Sequence, residues 1–222
     1  MSDLGFTKES FDFLAGLSDN NNKAWFDENK PSFETRLKAP FERLLEALSE
    51  RLSDADIPMQ GSKKTMFRMH RDIRFSKDKR PYKTNTGALM TPDGRKNEKA
   101  PILYLHMDAG GGFAAAGFYK FKASDLEPIR HRMLDKADEF DAVLSSLDKA
   151  GLSLTRSDPL KSMPRGFKDA DGHRHADKLQ LKSLIVEQDL PKSVWISGDV
   201  TDQVEAFARS AMPLLQFGQR AL

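Results

Sequence analysis

Ile102-Leu103-Tyr104-Leu105-His106-Met107-Asp108-Ala109-Gly110-Gly111-Gly112-Phe113-Ala114-Ala115-Ala116-Gly117-Phe118-Tyr119 is the stretch on which the reading of the fold turns. Ile102 to Met107 and Phe113 to Tyr119 read as strands. Asp108 to Gly112 between them has the turn chemistry of a hairpin, because glycine adopts positive φ without steric cost. Upstream, Thr84 to Met90 reads as a strand closed by the turn Thr91-Pro92-Asp93-Gly94, and Met66 to Met69 as a shorter strand. Downstream, a further strand is expected over Leu179 to Val186.

Helical spacing brackets these strands. Phe11, Leu14 and Leu17 follow the start signals Thr7 and Ser10. Ser18 to Asn22 is a polar turn suited to capping a helix that carries Trp25 and Phe26. Pro31 suits the first turn of another helix, striped by Phe33, Leu37, Phe41, Leu44, Leu45, Leu48 and Leu52, with a kink or break at Pro40. After the strands, a helix capped by Ser124 runs through Ile129 and Met133. A second carries Phe140, Val143, Leu144 and Leu147 and stops at Gly151. Pro159 to Asp177 reads mostly as loop. The last helix places Val200, Val204, Phe207, Ala208 and Ala211 on one face. Helices, then strands, then helices predict an α+β fold over a single domain, 1–222. Its mostly antiparallel sheet is covered by N-terminal, middle and C-terminal helices. Trp25, Phe26, Leu44 and Leu48 are expected in the core.

Composition removes several function classes. The chain has no cysteine among 222 residues, which excludes disulfides, iron–sulfur clusters and thiolate zinc sites and fits the reducing cytoplasm. The N-terminus lacks the basic and apolar regions of a signal peptide. No apolar run approaches the roughly 20 residues that span a bilayer, so no membrane partner is expected. The net charge of +2 hides an uneven distribution. Residues 1–60 carry 7 basic and 12 acidic side chains, whereas residues 61–99 carry 12 basic and 4 acidic.

The basic middle concentrates in Arg68 to Lys83, which holds seven Lys or Arg and two Asp in sixteen residues between two expected strands. Such a segment reads as a long loop. Arginine offers a planar fork of donors for phosphate or carboxylate, and lysine a point charge. Phe75 and Tyr82 interleave the charges as rings able to stack on a base or sugar. The candidate ligand-binding residues are Arg68, Arg71, Asp72, Arg74, Lys77, Lys79, Tyr82 and Lys83. Arg71, Arg74 and Lys83 are expected to converge on one anion. Tyr82, Asp72 and His70 are the candidates for handling protons if catalysis accompanies binding. The competing reading is a solvated loop in which Asp72 and Asp78 pair locally and the cations face the acidic N-terminal helices.

The run Arg68-x-x-Arg71-Asp72-Ile73-Arg74-Phe75-Ser76-Lys77-Asp78-Lys79-x-Pro81-Tyr82-Lys83-Thr84 resembles the signature of the bacterial family known as domain of unknown function 2461. Asn21-Asn22-x-x-Trp25-Phe26-x-x-Asn29-Lys30 is similar to that family's N-terminal pattern. So are Tyr104, Gly117, Arg130, Pro164-x-Gly166-Phe167 and Leu181-Lys182. His175-Ala176 departs from the family's histidine–proline pair. The resemblance implies a domain spanning the whole chain and singles out the basic segment, without implying an activity.

Other motifs carry little. His173-x-His175 lacks the further ligands of a metal site, so no metal and no cofactor are indicated. His70 and His106 lie where neighbouring strands could bring them together. Gly110 to Gly112 lacks the Gly-Lys-Ser/Thr ending of a phosphate loop, and neither a nucleophile elbow nor a dinucleotide fingerprint is present. Three functions fit the residues: binding of a phosphorylated or otherwise anionic small molecule, nucleic-acid binding through the same basic loop, or a structural or protein-interaction module.

Overall fold

The computed structural model describes residues 4–97 and 99–222. Its first part is helical: α1 (Lys8–Asp19), α2 (Lys23–Ser32) and α3 (Ala39–Arg51). The Asn22 side chain accepts the Trp25 N–H at 3.0 Å and caps α2. Between α2 and α3 the chain keeps helical backbone angles through one π-helical segment, Phe33–Lys38. Pro31 and Pro40 therefore lie within one helical run, rather than at a helix start and at a break. A proline withholds the N–H that would meet the carbonyl four residues back, and the wider π turn accommodates the ring. The Arg36 carbonyl, whose α-helical donor would be residue 40, instead accepts the Oγ–H of the fully buried Ser10 at 2.5 Å.

Among the described residues the sheet has four strands, β1 (Asn85–Met90), β2 (Ile102–Asp108), β3 (Gly111–Phe118) and β4 (Leu184–Asp189), in the order β1-β2-β3-β4. All neighbours are antiparallel. Asp108 pairs with Gly111, so Ala109-Gly110 is a two-residue turn. Between β3 and β4 the chain forms α4 (Ala123–Asp135), α5 (Ala137–Lys149) and the short α6 (Ala176–Leu179). After β4 come α7 (Lys192–Ser197) and α8 (Val200–Gln219). The fold is α+β, as the sequence predicts.

Three local expectations shift. Met66 to Met69 is not a strand: Met66 makes one bridge to Ala88, and the Phe67 N–H donates to Gly87 O at 2.8 Å. The 3₁₀ turn Lys63–Thr65 on one side and the basic loop on the other leave too few residues for a ladder. The last strand starts at Leu184 rather than Leu179, because Leu179 closes α6 and Leu181 bridges only Pro159. Lys122 precedes α4, and Ser124 lies inside it.

The two faces of the sheet differ. Alternate residues Ala88, Met90, Leu103, Leu105, Met107, Ala114, Ala116, Phe118, Leu184 and Val186 join the core that the helices build. Leu44 and Leu48 are fully buried there, Phe26 nearly so, and Trp25 is half-buried against the same cluster. On the other face the register aligns Leu89, Tyr104, Ala115 and Glu187 in one row and Gly87, His106, Phe113 and Asp189 in the next. Gly117 holds φ +140, and a Cβ there would lie 2.0 Å from Leu184 O, so only glycine lets β4 approach β3 here. Among the described residues no helix is long and apolar enough to cross a membrane.

Candidate functional site

The Arg68–Lys83 segment leaves the sheet edge and returns to it as a closed loop. His70 bridges Tyr82, the Arg71 N–H donates to Pro81 O at 2.8 Å, and the Lys83 N–H donates to Met69 O at 2.8 Å. Asn21 fastens the returning end: its amide donates to Tyr82 O and accepts the Tyr82 N–H, both at 3.0 Å. The Asn21 side chain thus takes the place of a strand neighbour for one residue. The Tyr82 ring stacks on Phe26 with centroids 4.2 Å apart and planes 12° apart, and the residue is 3% exposed. Proposed from sequence as a ring for a ligand, Tyr82 is instead packed into the core, because Asn21 holds its backbone against α2. Phe75 is 95% exposed.

Within the loop three of the seven cations, Arg71, Arg74 and Arg80, already have carboxylates. Asp72 accepts both the Arg74 N–H at 3.2 Å and its guanidinium at 2.7 Å. Asp78 repeats this Asp-x-Arg unit with Arg80, at 3.1 Å and 2.8 Å, and also pairs with Arg71 at 2.8 Å. The Arg80 guanidinium, then the Arg80 N–H and Arg71, hold the Asp78 carboxyl far below the usual carboxylate range. Lys79 donates to Ile73 O at 3.1 Å, and Lys77 is exposed. Arg71, Arg74 and Lys83 do not share a partner: the first two are tied to Asp78 and Asp72, and Lys83 faces elsewhere.

Lys83 sits with its Nζ 5.0 Å above the Phe67 ring, and Lys96 places its own Nζ 5.4 Å from the same ring. Among the described residues neither they nor Arg68 has a carboxylate oxygen within 4.0 Å. Burial lowers the Lys83 pKa from the ordinary lysine value, and the nearby charges of Arg68 and Lys96 push the same way. Lys83 and Phe67 form the shared wall of two adjoining cavities. One, of about 560 Å³, is lined by Arg68, His70 and Lys96, and also by Lys30, Lys63 and the paired Glu34 and Lys38. The other, of about 300 Å³, lies on the open face of the sheet and is walled by Tyr104, Phe113, Tyr119 and Glu187 over a floor of Leu89 and Ile102.

Tyr104 reaches this second cavity as the end of a chain of polar groups on one strand. Its hydroxyl lies 3.0 Å from His106 Nδ1, and His106 Nε2 lies 3.5 Å from Asp108 Oδ2. The three alternate along β2 and so share a face. Burial raises the Tyr104 pKa and lowers that of His106 against the opposing pull of Asp108, so both are neutral near neutrality. The Tyr104 hydroxyl then donates to Nδ1, and the Nε2–H points to Asp108. The His106 ring is stacked on Phe113 at 4.7 Å and 18°. Gly87 makes room for the pair: a Cβ there would lie 2.9 Å from the Tyr104 hydroxyl and 2.6 Å from Leu105 O.

His106 makes stability depend on pH. Its folded pKa lies below the unfolded value of about 6.5, so the unfolded chain takes the proton first as pH falls. Stability is full above about 6.5 and declines as pH drops towards the folded value. The melting temperature of His106→Gln should therefore fall less than that of the wild type between about pH 7 and pH 5. Identical slopes would show that His106 does not resist protonation.

The sequence pointed to the loop and missed most of the cavity. Phe67, Lys96, Tyr119 and Glu187 carried no motif, and Tyr104 stood out only as a match to the family pattern. The available signal was Tyr104, His106 and Asp108 at alternate positions between Leu103, Leu105 and Met107. His70 and His106 join different clusters, the first with Phe26 and Tyr82, the second with Tyr104 and Phe113. His175 is buried, with Nε2 3.2 Å from both Ala137 O and Asp141 Oδ1, and its backbone N–H donates to His173 Nδ1. Among the described residues no group of three or more His, Asp or Glu side chains is placed to hold a metal ion.

Fold and site together define an α+β protein whose antiparallel sheet is packed by helices on one face and carries a cation-rimmed, aromatic-walled cavity on the other. The chain belongs to the family described as conserved hypothetical protein (DUF2461), whose model matches residues 9–217. No curated protein matches the chain.

Proposed function

We propose that this is a cytoplasmic protein that binds a small anionic molecule, phosphorylated or carboxylated, around Phe67. Arg68, Lys83 and Lys96 hold the anion, and the wall of Tyr104 and Phe113 takes the less polar part of the ligand. The observation that carries this reading is the gathering of Arg68, Lys83 and Lys96 along one cavity beside Phe67, none of them with a carboxylate oxygen of the described residues within 4.0 Å. Like charges brought together in a partly dry site repel, and an anion relieves that repulsion. The concave, largely apolar shape favours a small molecule, since a nucleic-acid interface needs a broad basic surface of about 1,000 Å². The net charge of +2 points the same way.

Melting curves at constant ionic strength test this. Phosphate or phenyl phosphate at about a hundred times its Kd should add close to 3 kcal/mol to the stability of the native state, a rise of several degrees. Lys83→Ala and Arg68→Ala should lose the shift. Arg71→Ala should keep it, because Arg71 is committed to Asp78. The opposite pattern would move the anion into the loop, and the absence of any shift would remove the anion site.

A further inference from the structure

We propose that Lys83 is a nucleophilic amine that condenses with the carbonyl group of an anionic aldehyde or ketone held in this cavity, an inference that rests on the anion-binding reading above. Its setting differs from that of a lysine kept only as a counter-charge. Its Nζ lies over the face of Phe67, with no carboxylate of the described residues beside it. Arg68 and Lys96, on the cationic side, carry the same charge as Lys83. Glu187 lines the sheet side and Glu34, paired with Lys38, lines the adjoining cavity, but both carboxylates are more than 4.0 Å from Lys83. Burial together with neighbouring cations is the means by which a lysine is kept partly as the free amine, the form that attacks carbonyls. Its backbone is fixed by the hydrogen bond to Met69 O and by the clamp of Asn21 on Tyr82, so the amine has a rigid base.

The surroundings supply the rest of the step. Arg68 and Lys96 are left to hold the anionic group while Lys83 reacts. The nitrogen lone pair forms a C–N bond as the carbonyl π bond breaks, and the oxygen takes a proton to give a carbinolamine. The nitrogen then releases its proton, and the protonated hydroxyl departs as water while the lone pair closes the C=N bond. Amine, carbonyl and one proton thus give a protonated imine and water, with no oxidant or reductant. Tyr104 lines the same cavity and has His106 and Asp108 behind it, so its hydroxyl is the group placed to give and take the proton.

Pyridoxal 5′-phosphate serves as the probe, purely as a phosphorylated aldehyde. The full chain is incubated with it, reduced with borohydride and mapped by peptide mass spectrometry. Pyridoxine 5′-phosphate, which has an alcohol in place of the aldehyde, is run in parallel by thermal shift. Lys83 should be labelled about tenfold faster than the other lysines, and Arg68→Ala should slow that labelling selectively. Lys83→Arg keeps the charge, so it should still be stabilised by pyridoxine 5′-phosphate while the selective label disappears. If pyridoxine 5′-phosphate stabilises the protein and Lys83 is labelled no faster than the other lysines, the imine is wrong and the anion site stands. If the alcohol gives no shift and labelling is unselective, both readings fall.

Discussion

Trp195→Ala should lower the free energy of unfolding by about 3–5 kcal/mol, the range for deleting a large buried ring. Trp195 is 1% exposed on α7, edge-on to Phe6 at 5.1 Å and stacked near Phe41 at 6.1 Å. It therefore joins the segment before α1, the helix α3 and the C-terminal part of the chain. Its indole N–H donates to Leu190 O at 3.1 Å, and Leu190 is fully buried, so truncation empties a cavity and also strands an acceptor. At this length each kcal/mol moves the melting temperature by roughly 2–4 °C, so the midpoint should fall by on the order of 10 °C. Trp195→Phe keeps most of the ring but loses the N–H, and should cost about 1–3 kcal/mol. Urea denaturation followed by circular dichroism measures both. A loss below about 1 kcal/mol for the alanine variant would mean that the site collapses around the missing ring.

Arg130→Ala should cost about 3–5 kcal/mol, by a different route. Arg130 is 4% exposed on α4, and its guanidinium donates to Leu179 O at 2.8 Å and to Leu181 O at 3.0 Å. Both residues are buried, so truncation leaves two carbonyls without donors and water without access to them. Burial lowers the Arg130 pKa from its usual value, yet arginine keeps its charge at any ordinary pH. The cation is thus answered by carbonyl dipoles at the end of α6 and the turn before β4. Lysine has a single point donor in place of the fork, so Arg130→Lys should recover part of the loss. Arg130→Met decides the sign of the arrangement. If the methionine variant is as stable as the wild type, the desolvation of the charge outweighs the two hydrogen bonds, and Arg130 does not hold α4 to this turn.

The outline of the fold was legible because it rests on local signals. Ala109-Gly110 between two apolar runs specifies a tight hairpin whatever surrounds it. Leu44 and Leu48 belong to a helical stripe that has to be buried somewhere. The errors lie where a long-range contact overrides a local preference. Pro40 is tolerated within a helical run because Ser10, distant in sequence, donates to the Arg36 carbonyl. Leu179-Gln180-Leu181-Lys182 alternates apolar and polar residues as a strand does. Its carbonyls are taken elsewhere, however: Arg130 holds those of Leu179 and Leu181, and the Leu160 N–H holds that of Gln180.

The candidate site divides in the same way. By itself the sequence determined that positive charge gathers in residues 61–99, that the sheet is antiparallel and that no thiol chemistry is available, because charge count, turn residues and the absence of cysteine need no partner. Only the tertiary structure decided which of those charges are spent. Asp72 and Asp78 neutralise arginines two residues away, while Arg68, Lys83 and Lys96 are brought around Phe67 by the loop closure at Tyr82 and by the turn after β1. Tyr104 meets Lys83 at one cavity because the sheet register places β2 beside β1 and Gly87 leaves space for a ring. A cation and a hydroxyl become a site only when the backbone holds them at one point in a partly dry cavity, and neither distance nor dryness is written in the local sequence.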